Sequence, residues 1–134
     1  AGLTKRVYFA GLVRDMGLAY AASDLAILPS VRNEPFGRTI VEAQAAGLPV
    51  IASDAGGFRE TIISRPPENG GTGWLVPPGD ATALAQAVEA ATTQSAVSRA
   101  QMVSNGRAHV ETNFRQEVMC AKTLAIYAEL TGRA

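Results

Sequence analysis

Residues 25–52 read LAILPSVRNEPFGRTIVEAQAAGLPVIA, and this stretch decides the fold. It opens with a continuous apolar run at residues 25–28, which predicts a buried strand. After a loop, residues 39–46 predict a short apolar helix that is closed by Gly47. A second apolar strand follows at residues 50–52. Apolar strands without polar alternation, separated by a helix, indicate a parallel sheet that is covered by helices on both faces.

The rest of the chain continues this alternation of strands and helices. Further strands are predicted at residues 7–10 and 74–76. Further helices are predicted at residues 16–22 behind an Asp15 cap, 58–63, 81–91 behind an Asp80 cap, 95–112 and 115–130. The apolar stripe of the last helix comprises Phe114, Val118, Ala121, Leu124, Ala125 and Tyr127. The 134 residues therefore predict one α/β domain, whose C-terminal helices span about residues 95–130.

Composition excludes several classes of protein. Twelve basic and twelve acidic side chains cancel, so no basic field predicts binding to nucleic acid. The single cysteine, Cys120, allows no intrachain disulfide, which fits a reducing compartment, and it is expected in the apolar core. The only histidine, His109, is expected on a polar surface. No grouping of carboxylates predicts a metal site, so neither a metal nor a cofactor is expected.

Two carboxylates, Glu34 and Glu42, stand eight positions apart across a loop-to-helix junction. Pro35 and Gly37 keep the first acid out of the helix, because the residue before a proline is extended and glycine permits a tight turn. The start of the helix offers unpaired amides and a positive dipole end, which suit a phosphate group. The spacing suggests a site for a phosphorylated sugar compound. The alternative is that both acids are solvated and merely favour the helix dipole.

This segment resembles the E-x7-E motif of retaining GT-B glycosyltransferases, especially those of family 4. The matching runs are EPFG at residues 34–37, EA at 42–43, AGLPVIA at 46–52, GG at 56–57 and GWLVPPGD at 73–80, with VYFAG at 7–11 and AASD at 21–24 upstream. The resemblance runs in order from about Val7 to Tyr127. It implies a Rossmann-like parallel sheet, the second domain of a GT-B fold without its first two strands.

The resemblance also assigns roles to individual residues. Glu34 matches the acid that contacts hydroxyls of the transferred sugar, and it is the expected catalytic residue. Glu42 matches the acid that holds the ribose hydroxyls of the nucleotide. The helix-start amides that match those facing the diphosphate and sugar belong to Phe36, Gly37, Arg38 and Thr39. The backbone of Val13 matches the position that reads the edge of the base, whereas Asp15 is interpreted as a helix cap.

The implied function is transfer of a sugar, with retention of configuration, from a nucleoside-diphosphate sugar to an acceptor hydroxyl. The chain would supply part of the donor-binding domain of a cytoplasmic enzyme, or of one that is peripheral at a membrane. The sugar, the base and the acceptor are left open. Because the acceptor-binding domain and a basic pair facing the diphosphate are missing, the chain alone is expected to be inactive.

Other interpretations remain open. The chain could be a non-catalytic nucleotide-sugar-binding or assembly module that completes a partner subunit, or half of a GT-B-shaped epimerase. Glycogen and sucrose synthase types are a second choice among the glycosyltransferases. The missing strands also predict that residues 7–10 either move to pair with residues 25–28 or leave an open edge that recruits a second copy.

Overall fold

The computed structural model describes residue 3 and residues 5–132 of the chain. This part is built on a parallel sheet with helices on both faces. The strands are β1 (Ala26–Leu28), β2 (Val50–Ser53) and β3 (Gly73–Val76). The helices are α1 (Met16–Ala21), α2 (Arg38–Ala46), α3 (Phe58–Thr61), α4 (Ala81–Thr93), α5 (Ala96–Asn113) and α6 (Gln116–Leu130), with a 3-10 turn at Pro67–Asn69.

The three strands lie side by side in the order β1, β2, β3, and both pairings are parallel. Ile51 in the middle of β2 lies opposite Ile27 on one side and Trp74 on the other. All four residues of β2 are buried, because it is the central strand and both of its faces are covered. The predicted α/β class with a parallel sheet is therefore confirmed.

Each face of the sheet has its own hydrophobic core. On one face, the sheet packs against α1, α2 and α3; the buried members are Tyr20, Ile40, Ala43, Leu48, Val50, Ala52, Phe58 and Ile62. On the other face, the sheet packs against α4; the buried members are Ile51, Val76, Ala87 and Ala91. Successive residues of β2 thus alternate between the two cores, as the pleat of a strand requires.

The predicted helix ends are confirmed where a cap was expected. The Asp15 carboxylate accepts from the amide of Leu18 at 3.0 Å, and Asp80 accepts from two amides in the first turn of α4. Gly47 ends α2 in the left-handed conformation, with φ at 91°. Each cap satisfies a backbone group that the helix leaves unpaired, so the local sequence sets the length of these helices.

Helix α5 crosses α2 and holds it in place. Gly106 lies close to the buried Gln44 side chain, where an added Cβ would be 3.4 Å from its Oε1. The Gln44 amide nitrogen donates to the carbonyl of Thr61 at 2.8 Å. Arg107 donates to the carbonyl of Ala46 at 3.2 Å, at the end of α2. Helix α2 is therefore fixed against both α3 and α5 along its length.

The strand predicted at residues 7–10 is wrong. These residues form no strand, and the side chains of Tyr8 and Phe9 are 85% and 96% exposed. An apolar run becomes a strand only where a neighbour can pair with it, and within the described residues β1 pairs with β2 alone. Of the two alternatives for residues 7–10, pairing with residues 25–28 does not occur in the described structure.

The apolar stripe predicted on the last helix is also not a core element. Helix α6 has the predicted bounds within one residue, but it contains no buried residue, and Leu124 and Tyr127 are exposed. Cys120 is exposed as well, so its predicted place in the core is wrong. Amphipathic periodicity indicates which face of a helix is apolar, whereas burial depends on an element that packs against it.

The described residues contain neither a membrane-spanning helix nor a cluster of metal ligands. No helix among residues 5–132 is long and apolar enough to cross a membrane. The His, Cys, Asp and Glu side chains of the described part form no group of three or more that could hold a metal ion. The expectation that no metal takes part remains a prediction.

Candidate functional site

The candidate site lies at the edge of the sheet where the parallel strands end. The loop at residues 29–37 follows β1, and the loop at residues 54–57 follows β2. The amide of Gly57 in the second loop donates to the carbonyl of Glu34 in the first, at 2.7 Å. Because carboxyl ends of parallel strands share one edge, two separate parts of the sequence meet here.

Glycines allow the two loops to touch at their backbones. A Cβ on Gly57 would lie 2.6 Å from Cα of Phe36, and a Cβ on Gly56 would collide with the carbonyl of Glu34. Gly56 also has φ at 55°, which other residues rarely adopt. Gly56 and Gly57 thus bring their loop into direct backbone contact with the loop that carries Glu34.

The two acids differ in their surroundings. Glu34 is half-buried, and within the described chain its carboxylate has no hydrogen-bond partner, so both of its oxygens can accept bonds from a ligand. The loop that carries it is fixed through the backbone, by the bond from Gly57. A carboxylate on a fixed loop is suited to accepting bonds from hydroxyl groups.

The start of α2 has no side-chain cap. Its N-cap residue, Gly37, has φ at 85° and carries no side chain that could accept from the first amides. Gly37 is buried against Phe58, where a Cβ would lie 2.7 Å from Cδ1 of that ring. Uncapped amides and the positive end of the helix dipole together favour an anion at this position.

Glu42 is held by side chains from two helices. Arg38, four residues earlier on α2, donates from Nε to Glu42 Oε1 at 2.6 Å. Tyr20 on α1 donates from its hydroxyl to Glu42 Oε2 at 3.1 Å. The Arg38 side chain is 86% exposed, so this ion pair is largely solvated and contributes little to stability.

The hydroxyl of Tyr20 is a protonated donor. Burial raises the pKa of Tyr20 above its ordinary value of 10.0, and the bond to the Glu42 carboxylate and its negative charge raise the pKa further. The positive charge of Arg38 acts in the opposite direction. Tyr20 therefore remains neutral at physiological pH and can donate to Glu42 throughout that range.

The structure brings some predicted site residues together and leaves others apart. Phe36, Gly37, Arg38 and Thr39 do lie at the start of α2, between Glu34 and Glu42. The loop with Val13 does not follow a strand, and in the described chain no hydrogen bond joins residues 11–15 to residues 34–42. Of the loops at residues 11–15, 29–37 and 54–57, only the last two are joined to each other by a hydrogen bond within the described residues.

Sequence reasoning missed several side chains near the site. The sequence predicts only that Tyr20 lies in the helix at residues 16–22, because nothing in its spacing of 22 residues from Glu42 indicates a contact. The ring of Phe36 packs edge-on against Phe114 at 5.7 Å, and Phe114 packs in the same way against His109 at 5.2 Å. His109, on α5, is half-buried rather than a plain surface residue, and its ring packs against Phe114.

A shallow cavity of about 160 Å³ also lies where the strands end. Its lining comes from all three strand ends, with Pro29 after β1, Ser53 of β2 and Val76 of β3, and it extends to the start of α4 at Asp80. None of the predicted site residues lines it. The cavity and the segment with the two acids therefore occupy different parts of this edge.

Comparison with known proteins identifies the family. Residues 1–109 match the family model described as glycosyl transferases group 1. The chain belongs to this family. The match includes the whole sheet, both acids and the loop of Gly56 and Gly57, so the family resemblance that the motifs indicated is confirmed at this level.

Two curated relatives of this glycosyl transferase group 1 chain are mannosyltransferases. The lipopolysaccharide core biosynthesis mannosyltransferase LpcC of Rhizobium leguminosarum bv. viciae is 37% identical over 132 residues, 98% of this chain and 36% of that protein. The phosphatidyl-myo-inositol mannosyltransferase of Mycobacterium leprae is 36% identical over 94% of this chain and 32% of that protein. The chain thus spans about a third of the length of these relatives.

Solved structures share the fold. Sucrose-phosphate synthase from Thermosynechococcus elongatus superposes with a TM-score of 0.81 at 36% identity, over 98% of this chain and 32% of that one. Anabaena Alr3699/HepE in complex with UDP-glucose gives a TM-score of 0.79 at 35% identity, over 92% of this chain and 33% of that one. The described chain therefore has the Rossmann-like fold of these glycosyltransferases, as predicted.

Proposed function

We propose that this chain is the donor-binding part of a retaining glycosyltransferase, which transfers a sugar from a nucleoside-diphosphate sugar to an acceptor hydroxyl. The observation that carries the proposal is the pair Glu34 and Glu42 on either side of the uncapped start of α2, at the carboxyl edge of the sheet. Membership of the glycosyl transferases group 1 family supports it. The similarity to a protein solved with UDP-glucose supports a nucleotide-sugar as the ligand.

Glu42 would hold the ribose of the donor. Its carboxylate already accepts one bond on each oxygen, from Arg38 and from Tyr20. A carboxylate has about four lone-pair sites, so each oxygen can accept one more bond from a ribose hydroxyl. Its half-buried position on α2 makes such bonds stronger than they would be in open solvent.

The diphosphate would lie at the start of α2. The amides of Phe36, Gly37, Arg38 and Thr39 are at the positive end of the helix, and no side chain caps them. A negative charge that grows on the departing diphosphate is stabilised by such fixed donors. In the complete enzyme, basic groups from elsewhere would share this charge, so the chain alone is expected to bind nucleotide weakly and to show no significant turnover.

Glu34 would contact the hydroxyls of the transferred sugar. Its carboxylate has no partner in the described chain, and its loop is fixed by the bond from Gly57. Fixed contacts to the sugar hold the anomeric carbon in one orientation towards the acceptor. Neither acid belongs to a metal-binding group in the described residues, and the proposed transfer uses no metal.

An assembly module is the second candidate function. The exposed apolar side chains of Tyr8, Phe9 and Leu12 favour it, because a surface of this kind marks a contact with another protein. A module of this type would bind a partner subunit and need not turn over donor. Co-purification of a stoichiometric partner, together with no effect of Glu34→Ala on activity of the complex, would support this candidate.

Titration of the chain with UDP, GDP and ADP, by calorimetry or NMR, tests the donor site. One nucleotide should bind, and Glu42→Ala should weaken it roughly tenfold to a hundredfold, since hydrogen bonds to a charged group are lost. Glu89→Ala is the control, because Glu89 is an exposed acid on α4. No binding by a folded chain, or equal binding by Glu42→Ala, would contradict a donor site in these residues.

Glu34 is tested in the complete enzyme. Glu34→Ala should lower kcat or discrimination between donor sugars more than it changes nucleotide affinity, whereas Glu42→Ala should act mainly on donor binding. Wild-type kinetics in both variants would show that the two acids have other roles.

A further inference from the structure

Tyr20 links the candidate site to α1, a helix that contains none of the predicted site residues. It lies on α1, and its side chain is only 9% exposed in the core beneath the sheet edge. Its hydroxyl donates to Glu42 Oε2 at 3.1 Å. Among the described residues, it is the one side chain outside α2 that bonds to the Glu42 carboxylate.

We propose that Tyr20 is a positioning residue, which holds the Glu42 carboxylate in the orientation that accepts the ribose hydroxyls of the donor nucleotide. This inference rests on the proposed function. Tyr20 acts through the Glu42 carboxylate and not through its own contact with the nucleotide. The carbonyl oxygen of Thr39, at 3.5 Å from the Tyr20 hydroxyl, is the more distant acceptor for the same proton.

A glutamate side chain such as that of Glu42 is flexible. Three rotatable bonds allow the carboxylate to point in many directions, and two fixed donors restrict it. Arg38 is a poor anchor, because its side chain is 86% exposed and its ion pair is largely solvated. Tyr20 is the better anchor, since its ring is packed in the core with Ile40 and Ala43 of α2.

The geometry also leaves Glu42 free to bind. Tyr20 uses one lone pair of Oε2 and Arg38 uses one of Oε1, so each oxygen keeps a second acceptor site. Two adjacent hydroxyls of a ribose match two adjacent carboxylate oxygens. Binding energy would then be gained without the cost of ordering Glu42, which is the effect of preorganisation.

The test compares ribose with a sugar that lacks both hydroxyls. Wild type, Tyr20→Phe, Glu42→Gln and the double variant are titrated with UDP, GDP and ADP, and with the 2′,3′-dideoxy form of the nucleotide that binds best. Phenylalanine keeps the buried ring and removes only the hydroxyl, so the fold should be retained. Tyr127→Phe is the matched control, because Tyr127 is an exposed tyrosine on α6.

We expect Tyr20→Phe to weaken binding of the ribose nucleotide and not of the dideoxy nucleotide. Tyr20→Phe should lower the preference for ribose over dideoxyribose roughly threefold to tenfold, while affinity for the dideoxy form stays unchanged. In the Glu42→Gln background, the same change should have no further effect, because the two residues act as one unit. Tyr127→Phe should bind both ligands like wild type.

Other results would overturn the inference in distinguishable ways. An equal loss of affinity for the ribose and dideoxyribose nucleotides in Tyr20→Phe would show that Tyr20 supports the fold and does not position Glu42. Full preference in Tyr20→Phe, together with lost preference in Glu42→Gln, would overturn the role of Tyr20 and leave the proposed function intact. No nucleotide binding by the wild type, or an unchanged preference in Glu42→Gln, would overturn the proposed function itself and the inference with it.

Discussion

The main-chain amide of Gly57 donates to the main-chain carbonyl of Glu34 over 2.7 Å, and this bond joins the loops that follow β1 and β2. The acid-bearing loop is thus held by backbone atoms rather than by the carboxylate of Glu34, which stays available for a ligand. Backbones can approach this closely only where one of them lacks a side chain, and here both Gly56 and Gly57 meet that condition.

The first prediction concerns the close contact between Gly56 and the main chain of Glu34. Gly56→Ala should destabilise the fold by about 1–3 kcal/mol more than Gly79→Ala, because a new methyl group at residue 56 meets the carbonyl of Glu34. Gly79 is the matched control: it also has a positive φ, of 77° against 55°, but nothing lies within 4 Å of its added Cβ. Urea unfolding of the two variants measures the difference. Equal stability would show that the loops move apart without cost.

The second prediction compares two methionines on neighbouring helices. Met102 of α5 is 2% exposed and Met119 of α6 is 61% exposed. Met102→Ala should destabilise the chain by about 2–5 kcal/mol, because it removes buried methylene groups and leaves a cavity. Met119→Ala should lie within about 0.5 kcal/mol of wild type, as surface changes usually do. Thermal or urea unfolding measures both, and a large loss for Met119→Ala would show that α6 packs against the core in solution.

These helices also show what the sequence could and could not predict. Caps and breakers such as Asp15, Gly47 and Asp80 act within a few residues, so the positions of α1, α2 and α4 followed from local chemistry. The strand expected at residues 7–10 and the buried stripe on α6 depended on partners elsewhere in space. Periodicity carries no information about such partners, and both predictions failed for that reason.

The candidate site likewise has a part that local sequence predicts and a part that depends on contacts between distant residues. The Glu34–Glu42 segment could be predicted, because its residues are adjacent in the sequence and form one loop and one helix. The bond from Gly57 to Glu34 joins residues that are 23 positions apart in the sequence. The bond from Tyr20 to Glu42 joins residues that are 22 positions apart. Such contacts arise from the order of the strands and the packing of α1 on α2, and neither is encoded in a local spacing.

The third prediction is a pH dependence that belongs to Tyr20. Its pKa is raised in the folded chain, so the folded state keeps a proton that the unfolded state releases above pH 10.0. Stability from this group is therefore fully present below pH 10.0 and is lost as the pH rises towards the folded pKa. The stability of wild type minus that of Tyr20→Phe should fall as the pH increases past 10.0.

Urea midpoints of the two proteins across that pH range measure this difference. Because the two proteins differ only in the hydroxyl of residue 20, the difference between their midpoints reports on that group. Tyr127→Phe should follow the wild-type curve, because Tyr127 is exposed. A constant difference between wild type and Tyr20→Phe would mean that neither burial nor the Glu42 carboxylate raises the pKa of Tyr20 in solution.

The last prediction is self-association through the open side of the sheet. Within the described residues, β1 pairs on one side only, and its Ile27 is 39% exposed. Tyr8, Phe9 and Leu12 add large exposed apolar side chains in the segment before α1. Unpaired strand edges and apolar patches of this kind both favour contact with a second copy.

Sedimentation velocity should therefore show a concentration-dependent increase in mass, and Phe9→Ser should reduce it. Val97→Ser, at a residue of α5 that is 80% exposed, should leave the association unchanged. A chain that stays monomeric at the highest accessible concentration would show that these apolar groups remain solvated in the isolated chain.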